Sequence, residues 1–120
     1  MIIQAPGPVS PGDGETVTSI HPQLQVNNSN VSGPAGDIYY VFEVATDSAM
    51  ANRVVSAEVG QQNGRTTYTV APDLSYNTRY YWRVRGLDFA RVGPYSPIRS
   101  FVTGAAPVVT PPPREAMRLH

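Results

Sequence analysis

Bulky apolar side chains alternate with mostly charged ones along one stretch of this sequence, residues 80–85. Successive side chains of a β-strand point to opposite faces, so this stretch would present one large apolar face and one polar face. Guanidinium and phenol groups are frequent anchors at protein interfaces, and the polar face is therefore a candidate docking surface. The residues predicted on that face are Tyr81, Arg83 and Arg85.

Side chains suited to acid–base or nucleophilic catalysis are sparse. His21 and His120 are the two histidines, and neither has a carboxylate or a nucleophile at a diagnostic spacing in the sequence. The chain has no cysteine, which removes disulfides and thiolate metal sites. We therefore predict no enzyme activity, no catalytic residue, no cofactor and no metal site. A calcium site shared by loop carboxylates is the minority alternative.

Composition bounds the size of the fold and its partners. A chain of 120 residues fits one domain and is long enough to bury a core. Nine basic and nine acidic residues give a net charge of zero, which argues against a nucleic-acid partner. No apolar run approaches the length of a membrane span, so we predict no membrane insertion.

Short alternating stretches with regular turn signals predict an all-β, antiparallel sandwich. No segment shows helical periodicity. Residues 61–64 contain Asn-Gly and predict a hairpin. The predicted closing strand, residues 96–103, contains Ile98 and Phe101, whose spacing of three cannot place both side chains on one face. We expect a bulge or break between Pro97 and Ser100 that turns both inward and leaves Arg99 in solvent.

Several motifs resemble a fibronectin type III domain of the kind found in exported bacterial proteins. They centre on Leu74, Thr78, Tyr80, Val84 and Gly86 and are supported by similar segments nearer both ends. The resemblance spans residues 5–103. We expect residues 1–4 to be disordered and the proline-rich residues 104–120 to form a linker or tail.

The resemblance implies a seven-stranded immunoglobulin-like sandwich in which Tyr80 is a corner tyrosine that bonds backbone near Leu74. This chain has Val26 where members of this type usually have tryptophan. The core implied by the residues and the resemblance consists of Leu24, Val26, Tyr40, Phe42, Val44, Tyr68, Leu74, Tyr80, Trp82, Val84 and Phe101.

The resemblance also places the strand at residues 38–46 beside the strand at residues 79–85, so that Tyr39 would join the polar face. That face has two open interpretations: a docking surface, or a solvated sheet in which aromatic rings cover arginine stems. A second candidate is the pair of loops at one end, residues 27–37 and 88–95, because loops commonly carry recognition. The loop residues chosen for binding are Phe89, Arg91 and Tyr95.

We expect a non-catalytic module that spaces, orients or docks neighbouring domains of a larger exported bacterial protein. Its location would be extracellular or at the cell surface, with any export signal outside this sequence. One alternative is a direct binding module for polysaccharide or for another protein. Another is an accessory domain of a secreted hydrolase.

Overall fold

The computed structural model describes residues 2–32 and 37–106. Alternating apolar positions form strands rather than helices throughout these residues. The strands are β1 (Ile2–Ile3), β2 (Gly7–Ser10), β3 (Glu15–Val17), β4 (Gln23–Asn27), β5 (Val31–Ser32), β6 (Tyr39–Ala45), β7 (Arg53–Gly60), β8 (Arg65–Thr69), β9 (Arg79–Leu87) and β10 (Arg99–Thr103). No helix in this part of the chain is long and apolar enough to cross a membrane.

Two sheets pack face to face as an all-β sandwich. The five-stranded sheet has the order β3-β10-β9-β6-β7, and the three-stranded sheet has the order β2-β4-β8. β1 and β5 form a separate two-residue ladder. Among the described strands, every ladder is antiparallel except the pairing of β10 with β3, which is parallel. The seven expected strands correspond to β4, β6, β7, β8, β9, β10 and a first strand that is divided between the sheets as β2 and β3.

The core lies between the inner faces of the two sheets. Trp82, Tyr40 and Phe42 are its largest fully buried side chains. Tyr68 is half-buried, and its ring centroid lies 5.5 Å from that of Phe42. The other expected core residues are all buried: Leu24, Val26, Val44, Leu74, Tyr80, Val84 and Phe101. Val55 and Val70, which alternation also places inward, are buried, as are Ile3, Ile38 and Met50.

Tyr80 sits at the start of β9 as the corner position requires. Its hydroxyl oxygen accepts a hydrogen bond of 2.7 Å from the backbone N–H of Ser75, next to Leu74. Its ring stacks on Phe101, with the centroids 5.7 Å apart. This arrangement ties the 74–78 connection to the sheet through one buried phenol.

The closing strand is interrupted, but its apolar residues are not both turned inward. β10 begins at Arg99, and its register places Arg99 opposite Trp82. That register would put Pro97 opposite Val84, yet Ser96 N–H bonds the Val84 carbonyl at 2.7 Å, which leaves one extra residue before β10.

Ile98 lies within that irregularity and is 42% exposed, whereas Phe101 is buried. The expectation of two inward side chains was therefore wrong for Ile98. Arg99 shares the inward parity of Phe101 rather than the outer face that we expected. The break comes before Arg99, so the regular alternation that begins there places Phe101 on the inner face. Ile98 precedes it and is not turned inward.

The Asn-Gly segment does not close a hairpin. β7 belongs to the five-stranded sheet and β8 to the three-stranded sheet, so residues 61–64 cross from one layer to the other. Gly64 has φ +76, which glycine adopts without strain. Gln62 N–H bonds Thr66 Oγ1 at 3.0 Å and anchors the crossing. The local turn signal was correct, but the strand pairing was wrong.

Residues at both proposed domain boundaries are part of the fold. Ile2 and Ile3 pair with β5, and Ile3 is 3% exposed, which differs from the disorder expected for residues 1–4. An apolar side chain at the position of Ile3 gains by covering one end of the core. Gly104 N–H still bonds the Val17 carbonyl at 2.9 Å. Most of the proposed tail, residues 107–120, lies outside the described residues.

Candidate functional site

The outer face of the five-stranded sheet brings together the polar side chains expected there. The ladder between β6 and β9 opposes Glu43 to Arg83 and Tyr39 to Leu87. Directly opposite residues share a face, so these side chains form rows across the sheet. Val41 lies between Arg85 on β9 and Glu58 on β7 in one such row.

Tyr95 leaves the loop and lies over this face. The Cζ atom of Arg83 is 3.7 Å from the centroid of the Tyr95 ring, and that of Arg85 is 4.5 Å away. Ser96 holds the segment in place, because its hydroxyl oxygen accepts the Val84 N–H at 3.0 Å while its own N–H bonds the Val84 carbonyl. Tyr95 therefore covers two of the arginines that were expected to contact a partner.

Glu43 is the electrostatic centre of this arrangement and is 6% exposed. Its Oε1 accepts from Arg83 Nε at 2.8 Å, and its Oε2 accepts from the Tyr95 hydroxyl at 3.2 Å. Arg53 Nη1 lies 3.8 Å from the same Oε2. A buried carboxylate requires such partners, since desolvation without them is costly. We name Glu43, Arg83 and Tyr95 the outer-face cluster, and its polar groups are directed at one another rather than at a ligand.

The remaining residues predicted on this face form fewer contacts with other side chains. Arg85 stacks on Tyr95, and its buried Nε has no hydrogen-bond partner among the described residues. Tyr81 and Tyr39 are half-buried. Tyr81 lies beside the exposed Ile98 at the far end of the face. The predicted surface is thus divided into a covered centre and two more open ends.

The tip of the loop is a short, well-fixed turn. Asp88 is 8% exposed, and its Oδ1 accepts from the backbone N–H groups of Ala90 at 2.9 Å and Arg91 at 2.8 Å. Asp88 N–H also bonds the Arg91 carbonyl at 2.9 Å. An aspartate that bonds backbone two and three residues ahead is a common turn device. The turn presents Phe89 at 91% exposure, with Arg91 and Val92 also exposed.

A depression of about 420 Å³ separates this tip from the sheet. Its lining residues are Tyr39, Glu58, Leu87, Asp88 and Phe89. Sequence reasoning had placed Tyr39 and Phe89 in separate candidate sites, but the structure brings them to one. It had not selected Glu58 or Asp88. In the sequence, Glu58 could have been identified by its outward parity on β7, and Asp88 by the frequent use of aspartate in turns.

Catalytic and metal-binding chemistry has little support in the described residues. No three His, Asp or Glu side chains among residues 2–32 and 37–106 are grouped to hold a metal ion. His21 does have a carboxylate partner, which its sequence neighbours did not reveal: Nε2 lies 2.8 Å from Asp73 Oδ1. Its Nδ1 lies 2.9 Å from the Val70 carbonyl. These two contacts fix the ring against the end of β8 and include no nucleophile.

Solved structures provide the comparison that identifies this architecture. The 6th fibronectin type III domain of human fibronectin type III domain containing protein 3 superposes with a TM-score of 0.57 at 19% identity, covering 93% of this chain and 92% of that chain. The chain has the fibronectin type III fold. The FN1-FN3 domains of chicken CNTN1 match with a TM-score of 0.51 at 17% identity, over 84% of this chain and 34% of that one.

Sequence comparisons give no further assignment, since no family model matches the chain and no curated protein matches it. Identities below one fifth show a shared fold and do not identify a functional site. In this fibronectin type III fold, the candidate chemistry lies in the outer-face cluster, the loop tip and the depression between them.

Proposed function

We propose that this domain is a non-catalytic spacer that holds and orients neighbouring domains of a larger exported protein. The observation that carries the proposal is the position of its two ends at opposite poles of the sandwich. Extracellular or cell-surface location is part of the same proposal. A module of this kind needs a stiff body and widely separated attachment points, and it needs no reactive group.

The N-terminal pole is defined by contacts at the end of β9. A Cβ atom added to Gly93 would lie only 2.8 Å from the Ile3 carbonyl oxygen, so the incoming chain passes directly beside this loop. Gly93 N–H also bonds the Gly86 carbonyl at 2.8 Å. Residues 2–4 therefore lie at the pole where β9 ends.

The opposite pole is defined by contacts at the start of β9. Asn77 N–H bonds the Gly104 carbonyl at 3.0 Å, and Thr103 N–H bonds the Thr78 carbonyl at 2.9 Å. β9 contains nine residues and at the usual rise spans roughly 30 Å between the poles. Domains attached at the two ends would be kept apart by about this distance, with the packed core resisting bending.

A distance measurement tests the stiffness that the proposal requires. The chain contains no cysteine, so Gln4→Cys with Ala105→Cys gives two exposed, unique positions for spin labels. We expect one narrow interspin distance of roughly 30–40 Å by double electron–electron resonance. Gln4→Cys with Arg65→Cys, both near the N-terminal pole, is the control and should give a shorter distance of similar width. A broad distribution for the first pair alone would contradict a spacer.

The role in the parent polypeptide has its own test. Replacing residues 2–106 by a flexible Gly/Ser linker should impair whatever the flanking domains do together, because flexible chains do not fix orientation. An unrelated fibronectin type III domain with the same pole-to-pole span should restore it. Failure of that replacement to restore function would favour specific recognition by this domain over spacing.

A further inference from the structure

The outer-face cluster shows how this protein accommodates a guanidinium group. Arg83 stacks its planar head over the Tyr95 ring at 3.7 Å and directs Nε to the Glu43 carboxylate at 2.8 Å. The aromatic face attracts the cation, while the carboxylate accepts its hydrogen bond. An aromatic ring next to a carboxylate therefore already binds one arginine side chain within this molecule.

The depression between sheet and loop has the same two components. Tyr39 and Phe89 supply aromatic rings, and Glu58 supplies the carboxylate, because the Asp88 carboxylate bonds the turn. None of its lining residues is basic. Glu58 is exposed and forms no hydrogen bond or ion pair with any residue that the structure describes. Arg85 lies two strands away from Glu58, at a backbone separation of about 10 Å.

The backbone that carries Phe89 is fixed before any partner arrives. The Asp88 carboxylate fixes the turn through the N–H groups of Ala90 and Arg91, and Phe89 itself is 91% exposed. Phenylalanine has only two side-chain torsions, so ordering it on binding costs little conformational entropy. This exposed ring lines the same depression as Glu58. The depression therefore presents an exposed aromatic ring beside a carboxylate that has no described partner, as one side of a protein interface would.

We propose that this depression binds an arginine side chain of a protein partner. Arginine suits the site better than lysine, because its planar head stacks on a ring while its fork bonds a carboxylate. The exposed Glu58 carboxylate disfavours an anionic ligand at the same place. This inference is independent of the spacer role, since a spacer requires no ligand and the depression requires no neighbour.

A peptide titration followed by ¹⁵N–¹H correlation spectra tests the proposal on the whole chain. The probe is the acetylated, amidated tripeptide Gly-Arg-Gly, and the matched peptide replaces arginine by citrulline, which has the same shape without the charge. We expect saturable shifts centred on the amides of Tyr39, Glu58, Leu87 and Phe89 with the arginine peptide. The citrulline peptide should bind at least about threefold more weakly.

Two variants assign the shifts to the two components of the site. Glu58→Gln and Phe89→Ala should each weaken the arginine peptide by about two- to fivefold. Glu15→Gln and Tyr76→Ala remove an exposed acid and an exposed aromatic ring at the opposite pole and should leave binding unchanged. All four positions are exposed, so melting temperatures should stay close to that of the wild type.

Three results would overturn the proposal. The first is an absence of localised shifts with the arginine peptide, and the second is an equal response to arginine and citrulline. The third is localised shifts at Tyr39 and Phe89 with cellohexaose but none with the arginine peptide, which would assign the depression to a saccharide. None of these results bears on the distance between the poles, so the spacer proposal would stand or fall separately.

Discussion

The two faces of β9 are built on different physical principles although they belong to one strand. Its inner residues Tyr80, Trp82 and Val84 are at most 4% exposed and fill the core. Its outer residues Arg83 and Arg85 lie half-buried beneath Tyr95. The inner face stabilises the fold by filling the core with apolar volume, and the outer face stabilises it by pairing opposite charges. A face rich in arginine and tyrosine can therefore be structural, and exposure must decide which of its residues are free to bind.

The largest expected effect is on the inner face, at Trp82. Trp82→Ala should lower the free energy of unfolding by ~3–5 kcal/mol, because it opens a cavity in a closely packed core. The indole N–H has no hydrogen-bond partner among the described residues, so packing dominates its contribution. Urea denaturation of Trp82→Ala and of its outer-face neighbour variant Tyr81→Ala gives the comparison. Equal midpoints for the two variants would show that the faces do not differ in this way.

The next effect tests the outer face at Glu43. Glu43→Gln removes the charge that pairs with Arg83 and should cost about 1–3 kcal/mol, since the remaining guanidinium is only 20% exposed. Glu58→Gln is the matched control on the same face of the sheet, and its exposed carboxylate, which has no described partner, should change stability by less than about 0.5 kcal/mol. If both variants unfold at the same urea concentration, the outer-face cluster adds no stability.

A smaller inner-face effect is expected at the corner tyrosine. Tyr80→Phe keeps the ring on Phe101 but removes the acceptor for the Ser75 N–H, which should cost about 1–2 kcal/mol. The same deletion at Tyr81, whose hydroxyl has no described hydrogen bond, should change stability by less than about 0.5 kcal/mol. A Tyr80→Phe protein as stable as Tyr81→Phe would remove the corner tyrosine from the stabilising interactions.

The smallest effect extends the comparison to a turn at the surface, residues 47–52. Hydrogen bonds from the backbone N–H groups of Asn52 and Ala51 hold the pKa of Asp47 below its ordinary value of 3.8. A lowered folded-state pKa adds stability at pH values above 3.8, and that stability is lost as the pH falls below 3.8 through the folded-state pKa.

Urea midpoints measured from neutral pH down into this window should therefore fall more for the wild type than for Asp47→Asn. The asparagine side chain has nearly the same shape but does not titrate, so the difference between the two pH profiles isolates this one carboxyl group. Parallel profiles for the two proteins would mean that the carboxylate bonds at this turn carry no net stability.

Alternation along the sequence was sufficient to assign the inner face of β9 and most of the core. Tyr40, Phe42 and Val44 on β6 follow the same rule and are fully buried. Period-two alternation is a local property of the extended backbone, so it can be read without knowing the partner strand. Tyr80 and Val84 are alternating positions that also belong to the fibronectin type III resemblance, and solved structures share the resulting fold.

Turn composition was a weaker guide, because it indicates where the chain bends and not where it goes next. Residues 61–64 bend as Asn-Gly predicted, yet β7 and β8 enter different sheets. Ile98 was expected inside, but the extra residue between Ser96 and Arg99 leaves it 42% exposed. Both outcomes depend on which neighbouring strand offers backbone partners, a question that spacing alone does not answer.

The sequence by itself determined the all-β class, the burial of Trp82 and the presence of arginines on the opposite face. Only the tertiary structure decided that Tyr95 would cover those arginines, and that Tyr39, Glu58 and Phe89 would line one depression. These residues are far apart in the chain. The order of the strands in the sheet and the path of the loop at residues 88–95 bring them together. The alternation of side chains is set by the backbone of each strand. Contacts between residues distant in the sequence are set by how the strands and sheets pack, and the candidate site consists of such contacts.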